Sequence, residues 1–442
     1  MTPTTAPGAL WSRRYGDLED DRGQGVAADG DGNVVVTGHF DGTTDFGGGL
    51  VSSFFHAALG PTIDIYVASY TSTGAFRWAR TMGSDSDEQG KAIATDSSGN
   101  VLVTGYQSSF SVDFGGGAQF SRGATDIFVA KYSSAGSWVW SKTIGGSGFD
   151  HGNAIAAAAD GSTYLTGYIG ASTVGIDFGG GPVNSVGGSD VFLVKYSATG
   201  AHVWTRRLGG SLNDASNAVA VDPSGNVYIG GSFEGTVDFG GGPLSSSGLR
   251  DVFVAKFTSA GQFVWARKFG GSGDDLLQSL AADSAGSVAL AGKFQGSISF
   301  GGTALTSAGG DDAFLARISG IDGAAGWSKR FGATSGDVSM GVGVDGFNNV
   351  VVTGYFYGTT DFGGGPLSAL GIDVFAAKYS SAGAHVWSRK YGSGDHQIGD
   401  SLIVSPSGDI RLSGYFGGTI DFGAGPITST GSFDAFTTQI AR

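Results

Sequence analysis

Cysteine is absent from all 442 residues, which excludes disulfides, thiolate catalysis and cysteine-ligated zinc. Cations are scarce: 25 Lys and Arg stand against 39 Asp and Glu, a net charge of −14. Nucleic-acid binding relies on Lys and Arg to neutralise phosphates, so this balance argues against it. No apolar run reaches the roughly 18 residues that a membrane-spanning helix needs. Met1 is not followed by the basic and apolar regions of a secretory signal. Proline is sparse at 9, whereas glycine is abundant at 82. The glycines cluster at fixed points between apolar runs, which is turn chemistry and not low complexity.

What is present is a repeat. Tryptophan recurs on an apolar strand at Trp11, Trp78, Trp140, Trp204, Trp265, Trp327 and Trp387. The run D-F-G, or its relic, starts at Asp45, Asp113, Asp177, Asp238, Ser299, Asp361 and Asp421. Both sets recur every 60 to 68 residues, and such a period marks units that stack and share a core. The seventh copy is split. The chain opens with the closing strand of a repeat, Ala9 to Tyr15, and ends on the strand that should precede it, Asp434 to Ile440. Pairing those two closes a ring, which an open solenoid has no use for. The sequence therefore predicts an all-β chain, a single seven-bladed β-propeller over 1–442. Its four-stranded antiparallel blades fall near 17–83, 84–145, 146–209, 210–270, 271–332, 333–392 and 393–442 plus 1–16.

The fourth repeat shows one blade. Asn217 to Val221 is a first, inner strand. Asp222-Pro-Ser-Gly-Asn226 is a hairpin turn in which Asp bonds its own backbone, Pro presets φ and Gly takes positive φ. Val227 to Phe233 is the second strand, and a Gly/Ser-rich excursion with D-F-G-G-G-P-L follows from Gly235 to Gly248. Asp251 to Phe257 is the third strand and Phe263 to Phe269 the fourth. The third strand is apolar on both parities, as a sheet covered on both faces should be. Connections between second and third strands, and between fourth strands and the next blade, share one face of the disc. The two hairpins of each blade share the other.

These residues resemble the bacterial SBBP-type β-propeller repeat. The pattern is G-G-S-G-D-D at Gly270–Asp275, then an apolar strand ending in Asp and S-G-N-V-Y-x-x-G at Val221–Gly230. D-x-F-V-A-K-Y follows in the form seen at Asp190–Tyr196, then V-W at Val203-Trp204. The resemblance covers essentially the whole chain. It implies a propeller fold and a part of a secreted or surface-attached bacterial protein, with no single activity.

Residues present in every blade are read as architecture. A base stands two residues after each Trp: Arg13, Arg80, Lys142, Arg206, Arg267, Lys329 and Arg389. Every third strand opens with an acid: Asp64, Asp126, Asp190, Asp251, Asp312, Asp373 and Asp434. Their spacing predicts a cross-strand ion pair in each blade. Lys131, Lys195, Lys256 and Lys378 read as solvated strand ends, and the D-F-G phenylalanines as plugs between blades. The hairpin Asp29-Gly-Asp31-Gly-Asn33 loosely matches a calcium loop but lacks the bidentate Glu.

Candidate sites come from a second acidic position and from departures from symmetry. Asp21, Glu88, Asp150, Asp214, Asp275 and Asp337 precede the inner strands, with Gln397 in the seventh repeat. The position is expected to ring the channel mouth, either fixing turns or holding a cation, for which hard oxygen ligands suit calcium. The first excursion is six residues longer than the standard one and carries Phe54, Phe55 and His56, a candidate partner contact. Asp395, His396 and Asp400 cluster before the last inner strand and are the acid/base or metal candidates if the protein is an enzyme. Tyr106, Tyr168, Tyr355 and Tyr415, with His39, Ser232 and Lys293, hold one position late in the second strands and could stack on sugars if exposed. The leading expectation is a monomeric, non-enzymatic binding or adhesion propeller that contacts a glycan or protein through its loop-rich face. The alternative is a metal-dependent, sugar-lactonase-like hydrolase with its site at the channel mouth.

Overall fold

Seven four-stranded antiparallel sheets form in the computed structural model, which describes residues 8–56 and 60–442. The fourth blade runs Asp214–Val221, Val227–Asp238, Pro243–Phe257 and Phe263–Phe269. The seventh takes Gln397–Val404, Ile410–Phe416 and Asp434–Ile440 from the end of the chain and Ala9–Tyr15 from its start. Trp11 lies opposite Gln439 and Tyr15 opposite Ala435, so the predicted closure is the one observed. Inner strands of successive blades touch one another around the whole circle.

Burial follows the two-sided pattern of the sequence. Third strands such as Asp126–Tyr132 and Asp190–Tyr196 are buried at every position. The core divides into seven clusters, each spanning two adjacent blades. The D-F-G phenylalanines bridge them. Phe46 packs on Tyr15 of the preceding blade and Tyr66 of its own, at 5.6 and 4.7 Å between ring centroids. Phe300 meets Phe269 and Phe314 in the same way, each at 5.0 Å. The glycines that follow allow the excursion to lie on the outer strand. A Cβ at Gly241 would come within 2.5 Å of the Phe263 ring.

Tryptophan acts between blades more than within the core. Six of the seven indoles donate to a carbonyl in the outer hairpin of the next blade, as Trp78 does to Ser134 at 3.0 Å and Trp204 to Ser259 at 3.2 Å. Trp387 makes no such bond among the described residues, because the corresponding hairpin of the seventh blade is where the two chain ends lie. The bases two residues after Trp belong to the same joint. Arg80 Nε donates to Gly136 O at 2.9 Å, and Arg13 does so to Gly74 O at 2.6 Å while lying over the Tyr70 ring.

The predicted ion pair is therefore displaced. The partner of the third-strand acid stands three residues after Trp: Arg207 with Asp190 at 2.6 Å, Lys268 with Asp251 at 3.2 Å, Lys390 with Asp373 at 2.6 Å, Arg330 with Asp312, and Arg14 with Asp434. A β-bulge is the cause. In each outer strand one extra residue, such as Val264 between Phe263 and Trp265, shifts the register against the third strand. A shift of one residue sends the expected base to the opposite face. The first and second blades have Thr81 and Thr143 at the displaced position, so Asp64 and Asp126 have no such base.

The lysines read as solvated are instead held at the hairpin face. Lys131 is buried and lies 2.8 Å from Asp96; Lys378 lies 3.0 Å from Asp345. Lys256 donates to Gly320 O of the next blade at 2.7 Å. The aspartates that face these lysines also hold the hairpin turns. Asp96 Oδ1 accepts from the backbone of Ser98 and Asn100, and Asp29 makes the same bonds in the loop that resembles a calcium site.

Candidate functional site

The six acids that precede the inner strands are buried where two blades meet. Each stands at the start of its strand, and all but Asp21 receive backbone N–H groups from two sides. Asp150 Oδ2 accepts from Gly146 at 2.8 Å and Oδ1 from Gly170 at 2.9 Å. Asp214, Asp275, Asp337 and Glu88 repeat the arrangement, and Asp21 accepts from Asp17. Gln397 fills the seventh position and donates to Gly417 O at 2.9 Å. The backbone joins in, with Asp275 N bonded to Arg250 O of the preceding blade at 2.9 Å.

Both acidic positions converge at these joints. A Cβ added at Gly270 would fall 2.6 Å from Asp251 Oδ1 and 2.9 Å from Asp275 Oδ2, so the two carboxyl groups flank one glycine. Asp312 and Asp337 flank Gly332 likewise, as do Asp434 and Asp21 at Gly16. Burial, reinforced by the second acid, pushes Asp21 up to about 8, Glu88 and Asp214 to about 7, and Asp150, Asp275 and Asp337 to about 6. Among the described residues no three His, Asp or Glu side chains gather into a group that could hold a metal ion.

The channel is lined by other residues. Every inner strand has a bulge three residues after its acidic position, at Gln24, Lys91, Asn153, Asn217, Gln278, Met340 and Asp400. All seven line one central cavity of about 380 Å³. Part of the ring is tied between blades. Asn153 Nδ2 donates to Ser216 O at 3.1 Å and Asn217 Nδ2 to Leu277 O at 3.0 Å. The sequence held a signal for this ring: a mostly polar position at constant offset in otherwise small or apolar strands.

Nearer the loop-rich face the four tyrosines are half-buried and engaged with neighbours. His151 lies between Tyr106 and Tyr168, at 4.1 and 4.8 Å between centroids, and Arg22 lies 4.6 Å over the Tyr415 ring. Burial drives His39 down to about 3 and His151 to about 4, which keeps both neutral. Asp395 and His396 are exposed and border a separate surface cavity of about 330 Å³ with Phe433. Asp400 is not brought to them and lies in the channel.

The loop-rich face carries many of the exposed large apolar side chains, whereas Leu10, Trp138, Val139, Val203 and Val264 are exposed on outer strands. Phe54 and Phe55 in the long first excursion are 45% and 66% exposed. His56 is half-buried in the same loop, and Ala57, Ala58 and Leu59 lie outside the described residues. Leu18, Phe110, Phe149, Leu212, Leu249 and Leu370 are exposed on other connections of that face, whereas the hairpin face exposes Ile321 and Phe347.

Comparison with known proteins agrees with the repeat. Residues 203–232 match the SBBP beta-propeller repeat, from the closing strand of the third copy into the second strand of the fourth. An uncharacterized WD repeat-containing protein of Acanthamoeba polyphaga mimivirus is 22% identical over 425 residues, covering 78% of this chain and 30% of that protein. The regulatory protein FlaEY of Caulobacter vibrioides is 27% identical over 168 residues, covering 37% of this chain and 17% of that protein. The chain thus spans less than a third of the length of either relative. Among solved structures, the beta-propeller domain of the Trilobed protease from Pyrococcus furiosus aligns with a TM-score of 0.47 at 8% identity, covering 98% of this chain and 94% of that one.

Proposed function

We propose that this SBBP-type propeller is a non-enzymatic binding module that holds a protein partner on its loop-rich face. The observation that carries the reading is the rim of exposed apolar side chains, from Phe54 and Phe55 through Phe110 and Phe149 to Leu370. Exposed apolar groups collected on one face mark an interaction surface. Acids stand among them, including Asp17, Glu19, Asp87 and Asp395. The partner segment is therefore apolar with basic flanks. A protein is favoured over a glycan because the tyrosines that would stack on sugar rings are half-buried against His151 and Arg22. The hydrolase alternative loses support because Asp395 and His396 border one cavity and Asp400 another. A secreted or surface location rests on the SBBP resemblance and is tested by cell fractionation with an antibody.

The experiment is affinity capture from the source organism with wild-type protein and two variants, followed by binding of the purified partner. Phe54→Asp/Phe55→Asp should abolish capture at an unchanged melting temperature, and Phe347→Asp on the hairpin face should leave it intact. Loss of capture with Phe347→Asp alone would overturn the assignment of the face. A glycan array run in parallel should be silent.

A further inference from the structure

The central cavity holds two opposite charges that do not meet. Lys91 and Asp400 both line it, on either side of Gln24 in the ring of bulge residues. Neither enters a salt bridge among the described residues. Lys91 Nζ reaches amide oxygens: Gln89 Oε1 at 2.7 Å and, with the Gln24 amide in its satisfied orientation, Gln24 Oε1 at 3.2 Å. The Asp400 carboxylate accepts no hydrogen bond among the described residues. Burial depresses Lys91 and lifts Asp400 to about 7; Arg22 and, less strongly, Lys91 act on Asp400 from a distance, and Asp400 in turn supports the charge of Lys91. The far side of the ring carries no charge, with Asn217, Gln278 and Met340.

A half-buried charge with no opposite charge beside it is costly. Two of opposite sign, kept apart in one cavity, are complementary to a molecule that carries the same two charges in reverse. The volume, about 380 Å³, falls within the usual range of small-molecule sites. We infer that the channel binds a free α-amino acid, its carboxylate on Lys91, its ammonium on Asp400 and its uncharged side chain toward Asn217, Gln278 and Met340. This site lies on the ring axis, away from the rim that would hold a protein partner, and stands or falls independently of that reading.

Titration calorimetry on the full chain tests it. The probes are glutamine and methionine, each also as its N-acetyl and its C-amide derivative. Free amino acids should bind at millimolar concentration or better. Either cap should weaken binding at least about tenfold, since each removes a charge-assisted hydrogen bond. Lys91→Met should erase the preference for a free carboxylate and keep that for a free ammonium. Asp400→Asn should do the reverse. No binding of any free amino acid to the wild-type protein, or capped forms binding as tightly as free ones, would overturn the proposal. The analogue series on the wild-type protein carries the test even if a variant fails to fold.

Discussion

Replacing Glu88 by Gln should stabilise the protein at pH 8 relative to pH 5. Glu88 is fully buried between the first and second blades, facing Asp64, and that joint lacks the base found in five others. Its carboxyl is lifted from 4.5 to about 7, chiefly by burial. A raised carboxyl contributes stability that is fully present below the unfolded value of 4.5 and is lost as pH rises through about 7. Between pH 5 and pH 8 the loss comes to about 2 kcal/mol, at about 1.4 kcal/mol per pH unit. Glutamine does not titrate and so removes that loss. At an unfolding entropy near 2 cal/mol/K per residue, a chain of this length shifts by about 1 °C per kcal/mol. Scanning calorimetry of wild type and Glu88→Gln at the two pH values should show a relative gain of about 2 °C at pH 8. Gln397 is the natural precedent for an amide at this position. The converse change, Gln397→Glu, should cost stability at pH 8 and little at pH 5. Equal effects of Glu88→Gln at both pH values would refute the claim that burial raises this carboxyl.

Three further outcomes follow from the joints. Lys131→Met leaves Asp96 buried without its ion-pair partner and should destabilise by about 3–5 kcal/mol in urea denaturation; a loss below about 1 kcal/mol would show that the pair is inessential. Trp204→Phe deletes the indole bond to Ser259 and should cost about 1 kcal/mol more than Trp387→Phe, where no equivalent bond is found among the described residues. Calcium added to metal-stripped protein should leave the melting temperature unchanged, because the six joint carboxylates end on backbone N–H groups at six separate places; a rise specific to calcium would make that ring a cation site.

The ring, the blade count and the closure were legible in the sequence because they depend on recurrence. Seven tryptophans, seven D-F-G positions and a split repeat leave one topology. The side-chain pairings were not, and two misses share one cause. Counting from Asp251 to Arg267 assumes an unbroken ladder, but the bulge at Val264 moves Lys268 into that place. Counting along the inner strands puts Asp275 at the channel mouth, but Asp275 turns into the joint and the bulge at Gln278 reaches the channel. A bulge changes parity without changing composition, so alternation alone does not reveal it. The lysines failed differently: Lys131 on an apolar strand looks like a strand end, and its partner Asp96 lies on another hairpin of the blade.

The inner-strand bulges separate what the channel looks like from what holds the ring together. Each bulge residue is skipped by the ladder on its strand, and Gln, Lys, Asn, Met and Asp already occupy the same place. Apart from Asn153 and Asn217, which bond across to the next blade, these positions vary without a change in the ladder. Histidines, or a grade from acidic on one side to apolar on the other, could be written into the other five without rewriting the strands.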